Sequence, residues 1–241
     1  EIEANGPREI ITFEPYCLRT LGLLRLVFKT GGDFLCPLEV KGGIEIEVLP
    51  HKTPQDLFFC ADLIAGQGLR LKVPGHNISI GTTFRPLIKI QSGGSFESIG
   101  AKKFSLVHGT VFSNDFFHVQ ATDQIILGRW LEEERTYKVK RWNFNNPEKG
   151  TEIEISYPFY TPNGSSFISN GGMRLETQNL WSECGDILVA NGNLEIKASK
   201  ESLLCGTLIE LWQGNASITT PVFEQYSPTT VYTGQDTASS H

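Results

Sequence analysis

The residues with the widest chemical range in this chain are its five cysteines, five histidines and several acidic pairs. Cys184 stands before a glycine in Ser182-Glu183-Cys184-Gly185-Asp186, a setting that suits a nucleophile, and His51, His76, His108 and His118 are available as its base. A hydrolase of that kind needs the nucleophile in a strained turn with a histidine and an orienting acid beside it. No G-x-S-x-G elbow occurs, and no spacing ties a histidine to Cys184. A buried thiol at the start of a strand is the simpler reading.

Metal and carboxylate chemistry fare no better. The histidines are isolated, without the compact His-x-His-x-Glu grouping of a cupin-like site, and Cys17, Cys36, Cys60, Cys184 and Cys205 form no CxxC pair. Glu45/Glu47, Glu152/Glu154 and Glu132-Glu133-Glu134 could supply paired carboxylates for glycoside cleavage. Same-face alternation of this kind also describes a solvated strand face. Neither a phosphate-binding G-x-x-x-x-G-K-[ST] loop nor a strand-coupled G-x-G-x-x-G is present, so no catalytic residue, cofactor or metal is assigned and the chain reads as a non-enzyme.

Bulk properties narrow the partners. A net charge of −6 disfavours broad attraction to phosphate backbones, leaving nucleic-acid contact to local clusters. The longest apolar run, Leu21–Phe28, is too short to span a bilayer and carries Arg25. Odd, widely spaced cysteines in apolar contexts fit reduced, cytosolic thiols. Asn77, Asn163 and Asn215 each open an Asn-x-Ser triplet, which a secreted glycoprotein would use and chance also produces.

The elements that must hold these residues are extended. In Thr151–Gly164 the residues Ile153, Ile155 and Tyr157 alternate with Glu152, Glu154 and Ser156, the period of a half-buried strand that stops at Pro158 and turns at Asn163-Gly164. Similar stretches recur from residue 9 to residue 213, separated by Gly31-Gly32-Asp33, Gly42-Gly43, Gly66-Gln67-Gly68, Gly93-Gly94, Gly171-Gly172 and Asn191-Gly192-Asn193. Short helices are expected only after Pro54 and near Leu131, and no internal repeat supports a propeller or solenoid. The expectation is an all-β, antiparallel β-sandwich over residues 1–226. Its long loops leave open a split into two smaller β subdomains near residue 120, and residues 227–241 form a polar C-terminal arm.

One succession points further. The segment 141–164 ends a strand at an aromatic and proline corner, and 178–215 follows with a tryptophan, a Gly-led strand, a polar loop and a strand begun by Cys205-Gly206. This resembles the jelly-roll coat proteins of picornavirus-like RNA viruses, above all the comovirus- or cheravirus-like members, and 21–52 repeats the form.

That resemblance implies a structural subunit of an icosahedral virion, released from a polyprotein (the chain opens on Glu1, not Met) and assembled in host cytoplasm around genomic RNA with copies of itself and other capsid proteins. It implies no membrane and no cofactor. Phe84, Phe159 and Tyr160 become subunit contacts, while Lys138, Lys140 and Arg141, or Lys102 and Lys103, are the local clusters that could touch RNA. Two other readings stand beside it: a lectin-like β-sandwich using Trp130, Trp142, Trp181 and Trp212 as stacking platforms, and a glycoside-active jelly roll.

Overall fold

The computed structural model describes residues 2–4, 9–11, 22–51, 56–81, 87–141, 151–226 and 230–233, with side chains described for 22–51, 56–81, 87–128 and 164–226. The chain runs through β1 (Ile2–Ala4), β2 (Glu9–Ile11), β3 (Leu24–Phe28), β4 (Gly32–Phe34), β5 (Leu38–Val40), β6 (Ile44–Val48), β7 (Leu57–Phe59), β8 (Leu63–Ala65), β9 (Leu69–Lys72), β10 (Asn77–Ile80), β11 (Ile88–Ser92) and β12 (Phe96–Leu106). It continues with β13 (Gly109–Ser113), β14 (Phe117–Leu127), β15 (Arg129–Arg141), β16 (Thr151–Asn163), β17 (Ser165–Ser169), β18 (Met173–Glu183), β19 (Gly185–Val189), β20 (Leu194–Cys205), β21 (Leu208–Leu211), β22 (Ala216–Thr219), β23 (Val222–Tyr226) and β24 (Thr230–Thr233).

These strands wind into a β-solenoid of about seven turns. Among the described residues every ladder is parallel except β15 with β16. Three lanes run along the stack. The first holds β3, β6, β9, the opening halves of β12, β14, β18 and β20, and β22; the second holds β4, β7, β10, the closing halves of the same long strands, and β23. The third holds β5, β8, β11, β13, β17, β19, β21 and β24. Turns one to seven open at β3, β6, β9, β12, β14, β18 and β20.

The antiparallel sandwich and jelly roll expected from sequence are therefore overturned, and so is the absence of a repeat. Strand alternation is the same in parallel and antiparallel sheets. What differs is the separator: the glycine-rich segments carry the chain round a corner onto the next lane instead of reversing it. A strand thus meets its partner a full turn later, 20 residues on from Leu24 to Ile44 and 27 on from Leu69 to Phe96. Nor is there a helix among the described residues: Leu131 lies in β15, while Pro54 lies outside them. Among the described residues no helix is long and apolar enough to cross a membrane.

Packing explains the register. Leu24, Ile44, Leu69, Phe96, Phe117, Met173 and Leu194 stack in one inward column of the first lane, all buried, and burying them removes the apolar surface that drives the fold. Phenylalanines bind turn to turn and lane to lane inside: within a lane Phe34 stacks on Phe59 at 4.8 Å and Phe96 on Phe117 at 5.0 Å, and across lanes Phe167 lies 5.1 Å from Phe117.

The corner from the third lane to the first is closed by backbone and serine. A Cβ on Gly93 would meet the Gly66 carbonyl oxygen at 2.2 Å, so only glycine allows adjacent turns to approach this closely. Ser92, Ser113 and Ser169 stack beneath these corners, buried, and each hydroxyl reaches carbonyls of its own corner and the one before: Ser113 Oγ lies 3.0 Å from both Phe116 O and Gly94 O. These carbonyls also accept backbone N–H groups from the adjacent turn, as Phe116 O does from Phe96, so each serine adds a second hydrogen bond to oxygens already in the ladder.

Turn five differs from the rest. Between β14 and β17 the chain leaves the stack as the β15–β16 hairpin, a separate two-stranded sheet whose register pairs Arg129 with Asn163 and Arg141 with Thr151. Thirteen residues per strand make this arm roughly 43 Å long. The strand does not stop at Pro158: it runs through Pro158 and Pro162, which a two-stranded ribbon tolerates because each strand has a free edge.

Candidate functional site

Two outer faces and one corner carry the chemistry. On the first lane, outward residues in register read Arg25, Glu45, Arg70, Glu97, His118, Arg174 and Glu195, with sign alternating from Arg25 to Glu97 and again from Arg174 to Glu195. Arg25 binds Glu45 and Glu47, Lys72 binds Glu45 at 3.2 Å, and Arg70 binds Glu97 at 2.6 Å. Glu176 is the hub farther along, accepting from Arg174 at 2.6 Å and lying 3.1 Å from His118 Nε2.

Burial would raise the Glu176 carboxyl, but hydrogen bonds from Arg174 and His118 outweigh it and hold the group below its usual range; Lys72 and Arg25 do the same for Glu45. Glycoside cleavage needs a carboxyl that keeps its proton near neutrality. These are the opposite, and a ladder so fully paired is a solvated face. The Glu45/Glu47 pair predicted from sequence lies here, matched to cations.

The third lane differs. Its outward residues read Ile64, Gln91, Phe112, Ile168, Leu188 and Glu210 in one row, and Lys89, Thr110, Ser166, Asp186 and Leu208 in the next. Phe112, Ile168 and Leu188 form a half-buried apolar strip across turns four to six. Asp186 lies at its edge with no described cation beside it, and burial pushes its carboxyl up. In turns two and three the Asp62 carboxylate accepts the Lys89 backbone N–H at 2.8 Å, and the Lys89 ammonium has no described carboxylate partner.

Sequence reasoning passed over this strip. Its signal is the doublets Val111-Phe112, Phe167-Ile168 and Ile187-Leu188, where a half-buried strand should alternate; apolar residues on both sides of a strand mark burial on both faces.

At the corner from the second lane to the third, Gly81, Gly128 and Gly206 adopt left-handed φ of 80°, 75° and 60°, and Cys184 takes the same place at φ 56°. The thiol is pushed up to about 11, first by burial and then by Cys205, Glu183 and Asp186. A nucleophilic cysteine needs the reverse. His76 is buried with Nε2 at 3.2 Å from Leu49 O, and His118 belongs to Glu176. Among the described residues no group of three or more His, Cys, Asp or Glu could hold a metal ion.

The remaining predicted residues scatter. Phe84 lies outside the described residues. Phe159 and Tyr160 fall on β16 opposite Glu133 and Glu132, and Lys138 and Lys140 on β15 opposite Glu154 and Glu152, with Arg141 opposite Thr151. The strand register thus brings each of these two lysines level with an acid. Lys102 and Lys103 lie on β12, in the second lane. Trp181 and Trp212 are 40% and 63% exposed, so neither is core, and Trp212 Nε1 donates to Glu210 at 2.8 Å. Trp130 and Trp142 fall where no side chain is described.

The chain matches no family model, no curated protein and no solved structure.

Proposed function

We propose that the chain is a rigid, non-enzymatic structural module that acts by assembling with copies of itself and with partner chains. The observation that carries this reading is the third lane's outer face, where Phe112, Ile168 and Leu188 form an apolar strip on the outside of a fold whose core is already filled. Continuous apolar surface of that kind is what protein contacts bury. A solenoid supports the role because each turn is held by its neighbours, so the outward residues of successive turns line up into one continuous face. A coat subunit assembled in the cytoplasm around RNA is the narrower form of the proposal; assembly, and not the roll from which that form was first inferred, is what the faces favour.

Sedimentation of native material containing the chain tests the reading. A mass many times 26.8 kDa, with further chains present, is expected; a monomer at every concentration overturns it.

Glycan binding is the second reading, favoured by the exposed Trp212, its ring tied to Glu210, and by Phe116, which lies over Gly172 with its centroid 6.3 Å from the His118 ring. Retention on an immobilised glycan that Trp212→Ala abolishes supports it.

A further inference from the structure

We propose that the outer face of the third lane joins two copies of this chain face to face, about a two-fold axis that runs along the strand direction between turns four and five. The inference rests on the assembly reading and names its partner.

The Lys89–Asp186 pair selects the axis. It reverses the order of turns, so turn three faces turn six and turn four faces turn five. Lys89 of turn three then faces the partner's Asp186, and Phe112 of turn four faces the partner's Ile168. Between them Thr110 meets the partner's Ser166. Moving the axis by half a turn, onto turn five, would set Asp186 against Thr110 and Lys89 against Leu208, leaving both charges desolvated and unpaired, which is costly.

The strip also has the composition that a self-complementary contact needs. It is apolar at the centre, in turns four to six, with the polar Gln91 and Glu210 next along the same row on either side. Turns two to seven, the ones this axis overlays, carry strands of three to five residues, a footprint of roughly 430 Å² per copy and hence about 850 Å² buried in total, the size of a weak, transient contact. Such a pair is reversible and shows itself only as concentration rises. The arm leaves turn five at one margin of the strip, at Gly128 and Gly164, and the axis places both arms on the same margin, side by side.

Sedimentation equilibrium of the full chain over a concentration series, with Lys89→Asp, Asp186→Lys and the double reversal, tests the pairing. Each single reversal sets like charges face to face and weakens self-association about tenfold or more, and the double reversal restores it to within about threefold of the parent. Both positions are on the outer side of their strands, and unchanged thermal unfolding confirms that each variant folds. Single reversals without effect, or a double reversal as weak as either single, overturn this interface while leaving assembly through another face intact. A parent chain that stays monomeric throughout overturns the interface and removes the support the strip gives to the assembly reading.

Discussion

At the scale of single residues, the first-lane ladder makes a testable claim about charge. Glu176 is faced by Arg174 on its own strand, by Gln120 and His118 on β14, and by Lys197 and Glu195 on β20. Its folded-state carboxyl is lowered, so the stability it contributes is present above the unfolded value and lost as pH falls through the folded one. Glu176→Gln should cost about 0.5–1 kcal/mol at pH 7 in urea unfolding, the worth of a part-exposed ion pair, and nothing near pH 2–3. A cost that persists in acid would mean packing, not charge, holds the network. Cys184 makes a second claim. It holds a left-handed conformation that its counterparts Gly81, Gly128 and Gly206 accept freely, so Cys184→Gly should relieve strain of about 1 kcal/mol and raise the melting temperature. A lower melting temperature would show that the half-buried side chain contributes more than the strain costs.

At the scale of elements, the arm is separable from the stack. Turn four passes from Leu106 to Gly109 through Val107 and His108 alone, and turn six passes from Glu183 to Gly185 through Cys184. Joining Gly128 directly to Gly164 gives turn five the same two-residue corner between Leu127 and Ser165. Removing residues 129–163 should therefore leave a cooperatively melting solenoid with its melting temperature within a few degrees of the parent, since an isolated ribbon adds little by itself. Loss of cooperative melting would place the arm within the folding unit. The arm also shows why sequence alone misjudged the architecture. Strand existence was legible almost throughout, from alternation such as Ile44–Val48 and Gly185–Val189, and so were the corners at Gly66-Gln67-Gly68 and Gly93-Gly94. Pairing direction was not, because alternation does not encode it. The repeat was masked by unequal turns and by an inserted hairpin that sets Met173 56 residues on from its partner Phe117. The one antiparallel element among the described residues, which includes Thr151–Asn163, was the stretch that most suggested a roll.

At the scale of the molecule, the solenoid sorts its outer residues into faces that no local window of sequence reveals. Glu45 and Glu195 are 150 residues apart and share a paired polar face; Lys89 and Asp186 share the apolar one. For the same reason the doublets of the third lane, each unremarkable in its own strand, become a strip only once the turns are stacked. Catalytic readings lose ground at this scale too, because the acids on the first lane are matched to cations and Cys184 faces a neighbouring thiol and two acids. Everything proposed for assembly depends on the parallel register, and that register can be measured directly. Ser79 and Ser105 are 26 residues apart and Cα partners on adjacent turns of the second lane, away from the inferred contact. In a Ser79→Cys/Ser105→Cys variant, a short bifunctional thiol reagent followed by peptide mapping should join residues 79 and 105 within one chain, because neighbouring strands lie about 4.8 Å apart. A folded variant in which that link is absent, or forms only between different copies, would contradict the stacked register and the faces built on it.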